Sequence, residues 1–122
     1  KYHNYFKESK EGIIKNWPKS YSISAWLVIM NSGGKLDPHI HENGWVSGSI
    51  YINVPSKSET ESGNLVVSIN DQVAKEGDIK QKKVIDVVTG SLCLFPSSLY
   101  HYTIPFESKE DRIVLAFDVK HD

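Results

Sequence analysis

The hydrophobic pattern of the chain changes period near Ser22. Before it, "KESKEGIIKNW" reads as a short helix, which Pro18 ends because proline brings no backbone N–H to the helix. From Ser22 onward the helical period is gone. "SISAWLVIM" is β-rich and nearly continuous in apolar residues, the pattern of a strand buried on both faces. "NSGGK" is a turn. "WVSGSIYINV" reads as a strand that stops before Pro55, and "PSKSETESGN" is a polar loop. "NLVVSI" and "KKVIDVV" are short strands separated by the polar "NDQVAKEGDIKQ". "TGSLCLFP", "LYHYTI" and "DRIVLAFDV" complete the series. About eight short strands at this spacing, with no strong internal helix, indicate an all-β sandwich, jelly roll or barrel. There is no internal repeat and no low-complexity tract.

At 122 residues the chain is long enough for one domain with its own core. It opens on Lys1 rather than Met, which fits a piece of a longer protein; residues 1–122 are read as one domain from the C-terminal part of such a chain. A net charge of -1 offers no basic footprint for nucleic acid. No apolar run reaches the roughly 20 residues of a membrane span, and no signal-peptide pattern opens the sequence. Cys93 is the single cysteine, so no internal disulfide forms, and a reducing, cytoplasmic setting is expected. In "SLCLFP" it reads as a buried, chemically silent thiol.

The chemistry concentrates in "DPHIHENGWVSGSIYINVP". Two of the five histidines, His39 and His41, stand one residue apart. Residues i and i+2 of a strand share a face, so the two rings can converge on one ion. Imidazole suits iron, zinc, copper and nickel. A third ligand has to come from elsewhere, and His101 in "FPSSLYHYTIP" is the best candidate. In an eight-stranded jelly roll the second and seventh strands are neighbours, which suits the separation of His101 from the pair. A lone strand histidine is usually an ordinary hydrogen-bonded residue; the pair plus a distal partner in an all-β pattern is a better signal. His3 and His121 are assigned no role.

Two families share these words. The cupins carry G-x5-H-x-H and G-x5-P-x-G-x2-H, met here by Gly33, His39 and His41 and by Gly90, Pro96 and His101. Ser98 replaces a glycine, and the cupin glutamate is missing, with Trp45 and Val46 in its place. The closer resemblance spans residues 22–120. "HIHENGWVSGSIYINVP" and "GSLCLFPSSLYHYTIPFESKEDRIVLAFDV" resemble the 2-oxoglutarate- and iron(II)-dependent oxygenases, in the branch with H-x-H, F-P-S, a distal His and Arg. That branch often follows tetratricopeptide repeats.

The resemblance implies a double-stranded β-helix, Fe(II) as metal and 2-oxoglutarate as co-substrate. It implies oxidative decarboxylation to succinate and CO2, coupled to hydroxylation of an unidentified small-molecule or peptide substrate. His39, His41 and His101 match the metal ligands. Arg112 matches the cation for the distal carboxylate of 2-oxoglutarate, which a guanidinium grips at two points. Tyr51 matches a hydroxyl donor to the same carboxylate, or is a core aromatic. The family's usual H-x-Asp/Glu has His41 in the acidic slot, so Asp37 stays open as an alternative third ligand and zinc as a competing metal. Glu42 falls on the opposite face of a regular strand. Trp26 and Trp45 are read as packing residues, with Trp45 near the mouth of the site, and Ser47 and Ser98 as contacts to substrate or loop-orienting residues. A cupin-type metal protein that does not use 2-oxoglutarate is the rival reading, and a non-catalytic binding jelly roll the third.

Overall fold

The computed structural model describes residues 8–71 and 81–122. Among the described residues one helical turn, α1 (Gly12–Lys15), precedes eight strands. These are β1 (Tyr21–Met30), β2 (Leu36–His39), β3 (Val46–Asn53), β4 (Leu65–Ser68), β5 (Lys82–Ile85), β6 (Leu92–Pro96), β7 (Tyr100–Thr103) and β8 (Arg112–His121). The helix expected at 7–17 shrinks to four residues. Gly12 opens it and no side chain caps it, so little holds a longer helix together. Most of the polar segment between β4 and β5 lies outside the described residues.

The strands form two antiparallel four-stranded sheets, ordered β1-β8-β3-β6 and β2-β7-β4-β5. This interleaving of early and late strands is the double-stranded β-helix that the sequence pattern and the resemblance indicated. It brings β2 beside β7, with His39 directly opposite His101. Between the sheets lies a core of Tyr51, Leu65, Val87, Phe95 and Val114, with Val28, Val67 and Leu99 packed against it. Among the described residues no helix is long and apolar enough to cross a membrane.

One expectation about the core fails. β1 is an edge strand, not a strand buried on both faces. Trp26, Val28 and Met30 serve the inner face, while Ile23, Leu27 and Ile29 point outward and are more than half exposed. An almost unbroken apolar run hides the alternation that would have distinguished the two cases. The outer surface of this sheet is apolar well beyond β1: Ile50, Leu92 and Leu94 are also exposed there. Cys93 departs from expectation in a smaller way. It is half-buried on the edge strand β6, and burial pushes its thiol up from the ordinary value.

Gly63 adopts φ +73, a left-handed conformation that costs glycine little. Its carbonyl is thereby presented to Arg112.

Candidate metal centre

Three rings converge where β2 meets β7. His39 and His101 face each other in register across the two strands, with ring centroids 4.2 Å apart. β2 ends at His39. His41 lies just past the end of the strand, where its backbone N–H donates to the Ser97 carbonyl at 3.1 Å. Its ring centroid is 5.3 Å from that of His39 and 4.9 Å from that of His101. One ring nitrogen from each of the three lies within 4.8 Å of the others.

The tethers show which nitrogens these are. His39 Nδ1 contacts the Asp37 carbonyl at 2.7 Å, and His101 Nδ1 contacts the Leu99 carbonyl at 3.2 Å. A carbonyl only accepts, so both Nδ1 atoms carry the proton. His41 Nδ1 lies 2.6 Å from Asp118 Oδ1. With Nδ1 engaged on all three rings, the Nε2 lone pairs are left for a common ion. Burial first, and the neighbouring His39 second, push His101 down to about 4. At neutral pH it is therefore the uncharged imidazole that metal binding requires. The donor set suits a borderline divalent transition metal, with room for further ligands.

A second group lies along the same cavity. Arg112 opens β8 with its side chain on the inner face, 3 % exposed. Its Nε donates to the Gly63 carbonyl at 3.1 Å, and the guanidinium carbon sits 5.1 Å from the centre of the Tyr51 ring. None of the ion pairs among the described residues involves Arg112. Burial pushes the guanidinium down from its ordinary value, opposed by Tyr51, and burial pushes the Tyr51 phenol up to about 12. Tyr51 is thus a neutral hydroxyl at physiological pH. His39, His41, His101, Tyr51 and Arg112 all line one cavity between the sheets.

A family model described as "Putative 2OG-Fe(II) oxygenase" matches residues 24–118. The chain belongs to the 2OG-Fe(II) oxygenase family. The match does not distinguish the branch with the three-histidine motif. No curated protein matches the sequence. Among solved structures, a prolyl-4-hydroxylase from Pseudomonas putida superposes with a TM-score of 0.62 at 18% identity, over 82% of this chain and 52% of that one. HygX from Streptomyces hygroscopicus with iron bound gives 0.63 at 13% identity, over 87% of this chain and 60% of that one. HygX with nickel and 2-oxoglutarate bound gives 0.62 at 14% identity, over 87% and 59%. At these identities the likeness concerns the fold. The chain spans between half and three-fifths of the length of these three relatives.

The oxygenase-family fold separates the candidates named from sequence. His39, His41 and His101 come together, and Arg112 and Tyr51 meet one another beside them. Asp37 does not join them: its carboxylate pairs with Lys35 at 3.2 Å in solvent, and only its backbone carbonyl serves the cluster. Pro38 follows Asp37, and the β2–β7 register shifts between Leu36 and His39, so the simple i, i−2 expectation fails there. Glu42 is not part of the three-histidine cluster; it lies past the end of β2, where strand alternation no longer assigns a face.

The two tryptophans exchange roles. Trp45 donates its Nε1 hydrogen to the Ile13 carbonyl at 3.1 Å and packs on His121, holding α1 to the sheet. Trp26 lines the cavity, with its ring 5.5 Å from His41. Sequence reasoning missed Asp118 and Ser97 and left Ser47 undecided. Ser47 Oγ donates to Asp118 at 2.7 Å and contacts Ser97 Oγ at 2.8 Å. The "A-F-D" word contained the signal, but only the register Ser47↔Asp118 between β3 and β8 shows whom Asp118 meets.

Proposed function

We propose that this chain carries the catalytic centre of an Fe(II)- and 2-oxoglutarate-dependent oxygenase, with His39, His41 and His101 as metal ligands. Arg112 receives the distal carboxylate of 2-oxoglutarate, and the Tyr51 hydroxyl supports it. The observation that carries this reading is one cavity holding three tethered imidazoles and a buried guanidinium with no ion-pair partner among the described residues. A buried cation without an anion is costly, so the site is built for an anionic guest. A metal-binding jelly roll with no keto-acid co-substrate gives no reason for Arg112.

A ferrous ion held here supplies the redox chemistry that couples oxidative decarboxylation of 2-oxoglutarate to substrate hydroxylation. The chain's own contribution is placement. The Asp37 and Leu99 carbonyls fix the rings of His39 and His101, so little ordering remains to be done when the metal enters. Arg112 is itself held through Nε by the Gly63 carbonyl, with Nη1 making only a long contact to Met30 Sδ at 4.0 Å, so the guanidinium is oriented for the co-substrate. With its far end held by Arg112, the keto acid would be oriented toward a metal held by the three histidines. Trp26 and Val28 form an apolar wall that limits water around the reacting groups.

The test is an anaerobic titration of the protein with Fe(II) and then 2-oxoglutarate. A broad visible charge-transfer band on adding 2-oxoglutarate is expected from bidentate chelation. A protein that binds Fe(II) tightly but gives no band and no calorimetric heat with 2-oxoglutarate would be a cupin-type metal protein instead.

A further inference from the structure

Three neutral imidazoles bring no negative charge to a divalent ion. The structure holds a carboxylate one hydrogen bond further out. Asp118 projects from β8, is 5 % exposed, and presents Oδ1 to His41 Nδ1 at 2.6 Å. The same oxygen accepts from Ser47 Oγ at 2.7 Å, and Ser47 is 3.4 Å from the His41 nitrogen and 2.8 Å from Ser97 Oγ. Ser47 and Ser97 are both buried, so the acid is held from behind and cannot swing away.

We infer that Asp118 is the positioning residue of the metal centre. It fixes His41 with the proton on Nδ1 and the lone pair on Nε2, and it sets negative charge against that ring to offset the charge of the ion. The inference rests on the three-histidine reading above.

The contrast among the three ligands supports it. His39 and His101 lean on backbone carbonyls, which any sequence supplies at those places and which carry no net charge. Only His41 leans on an ionisable side chain, and it is the ligand that lies past the end of its strand, where β2 no longer orients it. The residue in the slot where the family usually has an acid thus has an acid behind it. A ring whose Nδ1–H donates to a carboxylate is also a more basic ligand at Nε2. Burying the carboxylate is tolerable because His41 and Ser47 both donate to it.

The experiment compares wild type, Asp118→Asn, Asp118→Ala and His41→Ala. Each is titrated with Co(II) against a competing chelator. In parallel, long-range nitrogen–proton NMR spectra record the imidazole tautomers of the metal-free and Zn(II)-loaded wild type. Asparagine keeps the shape and removes the charge, so Asp118→Asn is expected to bind Co(II) roughly 10- to 100-fold more weakly than wild type. His41→Ala sets the floor, and Asp118→Ala should fall between Asp118→Asn and that floor. In wild type, His41 should carry its proton on Nδ1 in both states. A folded Asp118→Asn that binds within threefold of wild type overturns the inference, and so does a His41 with its proton on Nε2. If both Asp118 variants fail to fold, the wild-type tautomer decides alone. If wild type binds no Co(II), or if His41→Ala binds as wild type does, the three-histidine reading itself has failed and this inference falls with it.

Discussion

Replacing Arg112 separates the two halves of the proposed site. Its Nε is engaged by the Gly63 carbonyl and its Nη1 contacts Met30 Sδ at 4.0 Å, and under the proposal the terminal nitrogens receive the distal carboxylate of 2-oxoglutarate. Each charge-assisted hydrogen bond contributes about 1.5–3 kcal/mol. Two of them, taken near the lower end, give about 3 kcal/mol, or roughly 150-fold in Kd. Arg112→Met is the sharper variant. It keeps an apolar stem against Met30 and Tyr51 while removing charge and fork. Its effect on stability without ligand combines two opposing terms. Leaving the Gly63 carbonyl unpaired costs about 1–3 kcal/mol, and removing a buried unpaired charge returns about 1–4 kcal/mol. The fold is therefore expected to survive, with a net loss of no more than about 2 kcal/mol. Arg112→Lys should recover part of the affinity, since an ammonium keeps the charge but cannot make the planar two-point contact. The assay is anaerobic calorimetry of 2-oxoglutarate into protein loaded with Mn(II), with urea unfolding of each variant as the control. Metal affinity should stay within threefold of wild type, because the three ligands lie on β2 and β7 and in the turn after β2. An Arg112→Met protein that folds, binds metal and keeps wild-type affinity for 2-oxoglutarate would refute the assignment of Arg112.

The remaining predictions concern the ligands, the fold around them and the outer sheet. Metal at 100 times its Kd should stabilise the protein by about 2.7 kcal/mol, seen as a rise in Tm that a chelator reverses; in His101→Ala the rise should vanish. Gly44→Ala should destabilise by about 1–3 kcal/mol in urea unfolding, because the new Cβ would lie 2.4 Å from the Oγ of the fully buried Ser97. A cost below 0.5 kcal/mol there would mean that the Ser97 corner is loosely packed. The Tyr51 phenol is raised from 10.0 to about 12, so the unfolded chain loses this proton first. That contribution to stability is intact below pH 10 and should fall by on the order of 2–3 kcal/mol as pH rises to about 12, and Tyr51→Phe should lack this component of the decline. Leu94→Lys, at a side chain 55% exposed on the outer sheet face, should change stability by less than about 0.5 kcal/mol and reduce binding of a hydrophobic dye. A large loss would show that Leu94 is packed.

The legible parts of this molecule are those that depend on one strand or on the order of strands. The jelly-roll order put His101 opposite His39, and the register His39↔His101 follows from it; His41 joins them from just past the end of β2, a place that strand alternation does not fix. Arg112 and Tyr51 were named only through the family words, because nothing within "DRIVLAF" or "SIYINV" shows which face turns inward. Asp37 failed for a local reason: the register shift before His39 breaks the period on which its candidacy depended. Asp118 and Ser97 failed for a non-local one. Their partner is His41, far away in sequence: Asp118 reaches it because β8 lies between β1 and β3, and Ser97 because β6 pairs with β3.

The misjudged burial of β1 has a physical lesson of its own. Ser22 and Ser24 alternate with Ile23 and Ala25 at the start of the strand, and the inner face is the one that carries the serines. A strand that places its polar residues inward and its isoleucines outward is not an ordinary half-solvated strand. The same holds across the sheet, where Ile29, Ile50, Leu92 and Leu94 are exposed and no charged residue stands among their outward-facing strand neighbours. Exposed apolar side chains on neighbouring strands thus form one continuous, uncharged face rather than scattered single residues. The continuous apolar run therefore reflects an apolar outer face that is exposed among the described residues, not a strand buried on both faces.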